Sequence, residues 1–141
     1  MNQKNLSETF VKNAVIKWLS KNGWGHLEFD ELHKHGVDIR AKKGIRRSRI
    51  IFVEVKGDSE SKSGNEVRFI YGLGQLVTRM KVVDAKGAYT YALAAPAMVS
   101  KIALRRIPWQ FAKKLCLEIF EVSADEQVKR YTWQDFRRKQ S

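Results

Sequence analysis

Residues 49–57, RIIFVEVKG, place the strongest constraint on the fold of this chain. Their central positions are apolar without alternation, a pattern typical of strands that are covered on both faces and lie inside a sheet. Glu54 and Lys56 follow on one face at the carboxyl end, because side chains two residues apart in a strand point the same way. A buried charge is costly unless it is paired or binds a metal. We therefore expect an internal strand that either reaches solvent or carries a functional site at its end.

The remaining sequence predicts an α/β protein with a mixed central sheet flanked by helices. The core elements, in chain order, are a helix from Ser7 to about residue 22, strands over 24–30, 37–43 and 49–57, a helix over 66–81 and a strand over 88–96. The first three strands should be antiparallel, and the fourth should return by a crossover and pair in parallel. An extension follows, with two short helices, a β-hairpin over 117–133 and a basic C-terminal helix. We expect a single domain over 1–141, with its core at 6–96 and its extension at 97–141.

Helical spacing within residues 66–81 predicts which side of the second helix packs on the sheet. Val67, Ile70, Gly74 and Val77 form the apolar stripe expected to face the core. Three polar residues fall within a sector of roughly 40° on the opposite side: Arg68, Gln75 and Arg79.

Composition favours a polyanionic partner. The 141 residues include 27 Lys+Arg against 15 Asp+Glu, a formal net charge of +12, and basic residues cluster along the chain. Nucleic acid fits this excess better than a membrane surface, since no basic amphipathic helix stands apart from the fold; the alternative is a solvated basic surface. Long apolar runs and a signal-peptide pattern are absent from the sequence, and Cys116 is the only cysteine. We expect a cytoplasmic protein without an intramolecular disulfide.

Two carboxylates are expected to meet at the end of strand 49–57. A hairpin centred near residue 46 places Asp38 opposite Glu54, within a residue or two. Adjacent carboxylates repel each other unless a cation lies between them. Hard oxygen ligands without cysteine favour Mg²⁺, with Mn²⁺ able to substitute, and such an ion can activate water and neutralise charge on a phosphodiester.

The combination of VD at 37–38, EVK at 54–56 and this element order resembles the PD-(D/E)xK nuclease superfamily, which includes restriction endonucleases and junction resolvases. The resemblance covers roughly residues 6–96, and Val37 stands where the family name has proline. It implies a restriction-endonuclease-like fold with an αβββαβ core and metal-dependent hydrolysis of phosphodiester bonds. It further implies that Asp38 and Glu54 are metal ligands, with the Val55 carbonyl as a third.

The same resemblance suggests roles for three further residues. Lys56 would position the attacking water or stabilise charge; we prefer the electrostatic role because neighbouring carboxylates favour its charged form. Glu8 on the first helix would reach the metal site, or would simply be a first-turn acid favoured by the helix dipole. Gln75 on the second helix matches a glutamine that some members place near the site.

We predict that basic residues around this site bind the nucleic acid. The predicted set is Arg46, Arg47, Arg49, Lys62, Arg68, Arg79 and His35. The leading hypothesis is an Mg²⁺-dependent DNA endonuclease, with RNA left open as a substrate. Two alternatives remain: a non-catalytic nucleic-acid-binding module of the same fold, and a homodimeric junction resolvase, because symmetric cuts on two strands need two active sites.

Overall fold

The computed structural model describes residues 5–29, 38–80, 82–83 and 88–141. Within them, six strands form one mixed sheet, and their order across the sheet is their order in the chain. The elements are α1 (Glu8–Lys21), β1 (Gly25–Phe29), β2 (Ile39–Lys43), β3 (Arg49–Val55), α2 (Lys62–Thr78), β4 (Tyr89–Pro96), α3 (Ala97–Arg106), α4 (Trp109–Leu115), β5 (Leu117–Val122), β6 (Val128–Tyr131) and α5 (Trp133–Gln140).

The pairing of the strands confirms the predicted mixed sheet. Strands β1, β2 and β3 are antiparallel, and β4 pairs in parallel with β3 after the α2 crossover. The predicted hairpin of β5 and β6 is also present, but β5 pairs in parallel with β4 and extends the same sheet. The C-terminal segment therefore completes the main sheet, since β5 covers the free edge that β4 would otherwise present.

Helix α1 covers one face of the sheet and begins where the sequence predicts. The Ser7 hydroxyl accepts a hydrogen bond from the Phe10 N–H, which satisfies one of the free donors of the first turn. Gly23 follows the helix with a φ of +84°, a conformation that favours glycine. The side chains of Val11, Val15 and Leu19 are buried in a core cluster with residues of β2 to β5.

Helices α2 to α5 contribute to the second core cluster, on the other face, and α2 is rotated relative to the prediction. Its buried residues are Asn65, Phe69, Gly72 and Leu76. The predicted stripe is wrong: Val67 and Ile70 are 52% and 55% exposed. Apolar residues surround this helix. The face that packs on the sheet combines two large apolar side chains with a glycine, which allows the helix to approach the sheet closely. The helix also begins at Lys62, four residues before the start predicted at residue 66.

The two glycines of α2 differ in their surroundings, and we expect opposite effects of alanine. A Cβ at Gly72 would lie 2.8 Å from Leu93 Cδ1 and 3.0 Å from Lys56 Cγ, whereas one at Gly74 meets nothing within 4 Å. Gly74→Ala should raise the free energy of unfolding by about 1 kcal/mol through helix propensity. Gly72→Ala should lower it, because overpacking costs roughly 1–3 kcal/mol. Urea unfolding of the two variants measures the difference, and equal stabilisation by both would contradict this packing of α2.

Candidate active site

Asp38 is held at the carboxyl end of β3 by a backbone hydrogen bond. In the β2–β3 ladder Ile39 pairs with Val53, so Asp38 lies one step further along, level with Glu54, as the hairpin register predicts. Val55 lies beyond Ile39, the first residue of β2, so its N–H has no partner in that strand. It donates instead to Asp38 Oδ2, at 2.8 Å. The side chain thereby replaces a missing strand partner, and the ladder ends at a carboxylate.

Glu54 is buried beside this carboxylate and is paired with a cation from α2. Its side chain is 2% exposed, and both of its carboxylate oxygens accept from Arg79 Nη1 at 2.9 Å. Arg79 itself is 32% exposed, so the pair lies at the boundary between the core and solvent. The predicted polar face of α2 therefore points toward the end of β3 and not away from the sheet.

The surroundings of Glu54 favour its protonated form. Burial raises the pKa of Glu54, and the Asp38 carboxylate raises it further through its charge and a hydrogen bond. Arg79 opposes both effects, and the resulting pKa of Glu54 is about 7 against an ordinary value of 4.5. The two carboxyl groups thus lie close enough that a negative charge on one disfavours ionisation of the other. A bound cation would remove this repulsion.

Lys56 extends from the same end of β3 between two helices. Its Nζ lies 3.8 Å from Glu8 Oε1 in the first turn of α1, and its side chain is 14% exposed. Both residues line an open cavity of about 450 Å³, and the start of α2 borders it on the other side. Glu8 therefore contacts the ammonium group of Lys56, a contact that neither predicted role for Glu8 included.

Gln75 lies on the side of α2 that faces these residues. It follows Gly72, which packs on Lys56, by about one turn, and it precedes Arg79, which binds Glu54, by another. Its Oε1 atom is buried without a hydrogen-bond partner among the described residues. A buried amide oxygen without a donor costs about 1–3 kcal/mol, so a ligand or water that satisfied it would be stabilised there.

These donors fit a hard divalent cation. Asp38 and Glu54 supply carboxylate oxygens, and the orphaned Gln75 oxygen is a further neutral donor nearby. Mg²⁺ typically uses one or two protein carboxylates together with water and substrate phosphate. The described part of the chain contains no group of three or more His, Cys, Asp or Glu side chains arranged around one point.

The predicted nucleic-acid-binding residues fall into separate regions. Arg68 lines the cavity beside Lys56, whereas Lys62 lines a neighbouring recess with Asp58, Glu66 and Lys101. Arg49 begins β3, five residues and roughly 17 Å before Glu54, and Arg46 and Arg47 lie in the turn that precedes it. This turn therefore lies at the other end of the strand from the carboxylates. The predicted contact of His35 falls outside the described residues.

Sequence reasoning missed the polar lining of the Lys56 cavity. Ser59, Ser61 and Ser63 surround it, and Tyr71 borders it with a side chain that is 65% exposed. The Ser61 hydroxyl caps α2 by accepting from the Gly64 N–H at 3.0 Å. The serine-rich run GDSESKSGN carried this signal, since alternating serines ahead of an apolar periodic segment can supply a helix cap.

No protein-family model, curated protein or solved structure matches this chain. The described residues include no helix with the length and apolar character needed to cross a membrane.

Proposed function

We propose that this chain is a metal-dependent nuclease that hydrolyses phosphodiester bonds in DNA. The observation that carries the proposal is the position of Asp38, Glu54 and Lys56 at the carboxyl end of one internal strand. The two acids are close enough to perturb each other, and Lys56 faces an open cavity. The charge of +12 supports an anionic polymer as the substrate.

The arrangement of the core supports the restriction-endonuclease-like form of this proposal. The chain runs α1, three antiparallel strands, the α2 crossover and a parallel β4, with the acids at the end of the third strand. This is the element order implied by the resemblance to PD-(D/E)xK nucleases. The β5–β6 hairpin then continues the sheet beyond that core.

We assign each site residue a role that its surroundings support. Asp38 and Glu54 would hold Mg²⁺ or Mn²⁺, with Gln75 as a further oxygen donor nearby. A bound divalent ion supplies a more acidic water and a positive charge beside the phosphate. Lys56 keeps its ammonium group oriented toward the cavity through Glu8, so it offers positive charge to the developing negative charge of the phosphate. Arg79, released from Glu54, would be free to contact the DNA backbone.

The experiment is cleavage of a labelled panel of linear duplex, single strand, flap and four-way junction with Mg²⁺, with Mn²⁺ and with EDTA. We expect cutting only with a metal ion, and the preferred substrate would define the structural specificity. A four-way junction cut symmetrically by a dimer would identify a resolvase. Binding to the panel without cutting in either metal would overturn the nuclease.

One observation favours a second candidate, a nucleic-acid-binding module without catalysis. Arg79 occupies both oxygens of Glu54, so this carboxylate already has a cationic partner. In such a module Glu54 and Arg79 would form a structural ion pair that fixes α2 on the sheet. Isothermal titration with Mg²⁺ distinguishes the two: heat of binding that Glu54→Gln removes supports the nuclease, and no binding supports the module.

A further inference from the structure

Helices α4 and α5 carry a stack of cations and indole rings beside β6, away from the candidate active site. Trp109 of α4 and Trp133 of α5 stack on each other with ring centroids 5.8 Å apart. Lys113 Nζ lies 4.6 Å from the centre of the Trp133 ring, and the Arg137 guanidinium lies 5.0 Å from that of Trp109. These contacts form one row of pairs, from Lys113 through Trp133 and Trp109 to Arg137.

A second set of the same kind adjoins this row. Tyr131, the last residue of β6, has the ammonium groups of Lys129 and Lys139 at 5.2 Å and 5.6 Å from its ring centre. The basic-aromatic surface is hereafter the set of Lys113, Lys129, Arg137 and Lys139 with the three rings that they cover: Trp109, Tyr131 and Trp133.

These four cations are exposed and have no carboxylate partner among the described residues. Two nearby carboxylates are engaged elsewhere: Glu118 pairs with Arg130, and Asp135 pairs with Arg138 and caps α5 at Thr132. Glu121 lies opposite Lys129 in the β5–β6 ladder but forms no ion pair with it. Each uncompensated cation is held over a ring, an attraction worth about 0.5–1 kcal/mol at an exposed site, so its position is restricted before any partner binds. Charges that are fixed in advance lose less conformational entropy on binding.

We infer that the basic-aromatic surface is a second nucleic-acid contact, which binds the phosphate backbone independently of the candidate active site. Three strand spacings, roughly 14 Å across the sheet, separate β6 from β3. The indole rings stack on each other and under cations, so they hold charge in place and are not free platforms for bases. Phosphate contacts of this kind carry no sequence information, so binding should be insensitive to sequence.

The geometry argues against two other anionic partners. Insertion into a lipid surface needs an exposed apolar helix face. Phe136 of α5 is buried and Trp133 is half-buried in contact with the core, so Phe111 is the one large apolar side chain exposed on α4 and α5. An acidic peptide would satisfy the same cations, and the test therefore includes one. A chain that binds DNA without cutting it would have this surface as well, so its role in binding is separate from cleavage.

The experiment compares two variants that each lose two positive charges. One is Lys113→Gln/Arg137→Gln, and the control is Lys17→Gln/Lys21→Gln on α1, which covers the other face of the sheet and whose Lys17 pairs with Glu126. Affinity for a fluorescent duplex is measured by anisotropy in EDTA over a range of salt concentrations, so that neither a metal ion nor cleavage contributes. The charge-retaining variant Lys113→Arg/Arg137→Lys completes the set.

We expect the α4–α5 double variant to bind roughly 10- to 100-fold more weakly at about 0.1 M salt, with a slope of log K against log salt that is less steep by about 2. The α1 control and the charge-retaining variant should keep the slope of the original chain. Equal losses in the α4–α5 and α1 variants would overturn a localised surface. Binding of polyglutamate or phosphatidylserine vesicles as tight as that of DNA, and equally reduced in the α4–α5 variant, would overturn nucleic acid as the partner.

Discussion

Replacing Asp38 with asparagine should reduce Mg²⁺-dependent DNA cleavage by more than about 100-fold, beyond the usual cost of losing a residue that only supports a metal ligand. The amide oxygen of asparagine can still accept the Val55 N–H that the carboxylate accepts at 2.8 Å, so the end of β3 should keep its geometry. The change removes one negative charge and one strong oxygen donor. The measurement is single-turnover cleavage of the preferred substrate at saturating protein.

Asp125→Asn is the matched control for this substitution. Asp125 lies in the exposed turn between β5 and β6 and hydrogen-bonds locally to Ser123, so the same chemical change there should leave the cleavage rate within about twofold. DNA affinity in EDTA should be retained in both variants, or increase slightly with Asp38→Asn because a charge that repels phosphate is lost. An Asp38→Asn chain that cuts at the original rate would remove Asp38 from the active site.

The sheet could be predicted from the sequence wherever a local pattern is decisive. Residues 49–57 have the unbroken apolar run of an internal strand, and the turn centred near residue 46 fixed the pairing of 38 with 54, which the ladder confirms. The two ends of α1 could be predicted for equally local reasons: Ser7 caps the start with its side chain, and Gly23 takes a left-handed backbone conformation after the end. In each case a few adjacent residues hold the information.

The rotation of α2 about its axis could not be predicted from the local sequence, because apolar residues lie on nearly all sides of the helix. Phe69, Gly72 and Leu76 face the sheet, whereas Val67 and Ile70 would have satisfied the same periodicity on the other side. The choice depends on what the partner surface can accommodate: Leu93 and Lys56 leave room for a glycine only. The shape of side chains at the end of β3 and on β4 therefore decides the rotation of α2, and the sequence of residues 66–81 alone cannot predict it.

The acids of the candidate site and Lys56 were predicted, but the ion pair between Glu54 and Arg79 was not. Asp38 and Glu54 follow from strand register, but the pairing of Glu54 with Arg79 joins residues 25 apart through the rotation of α2. In the predicted orientation Arg79 belonged to the polar face of α2 opposite the core, and no cation from α2 was expected to pair with Glu54. The error in helix rotation therefore changed the electrostatics expected at the site, although the carboxylates themselves were placed correctly by the register.

The stability of the chain should respond to pH and to Mg²⁺ through Glu54. Its pKa is about 7 in the folded chain against an ordinary value of 4.5, so folding favours the protonated group. As pH rises from about 4.5 to 7 the unfolded chain releases this proton first, and the folded state is destabilised by about 3 kcal/mol in total. The contribution is fully present below about pH 4.5 and is lost above about pH 7.

Glu54→Gln isolates this effect from every other titrating group. Glutamine is neutral at all of these pH values and can still accept a hydrogen bond from Arg79, so the free energy of unfolding of the original chain should fall relative to the variant across this range. Urea unfolding of both chains without metal measures that difference, and parallel profiles would show that Glu54 does not titrate as its surroundings require.

At about pH 7.5, Mg²⁺ bound at Asp38 and Glu54 should stabilise the original chain, because binding to the folded state alone adds to stability by mass action. The same ion should have much less effect on Glu54→Gln. Equal stabilisation of both chains by Mg²⁺ would place the ion elsewhere, and Glu54 would then serve only as the structural partner of Arg79.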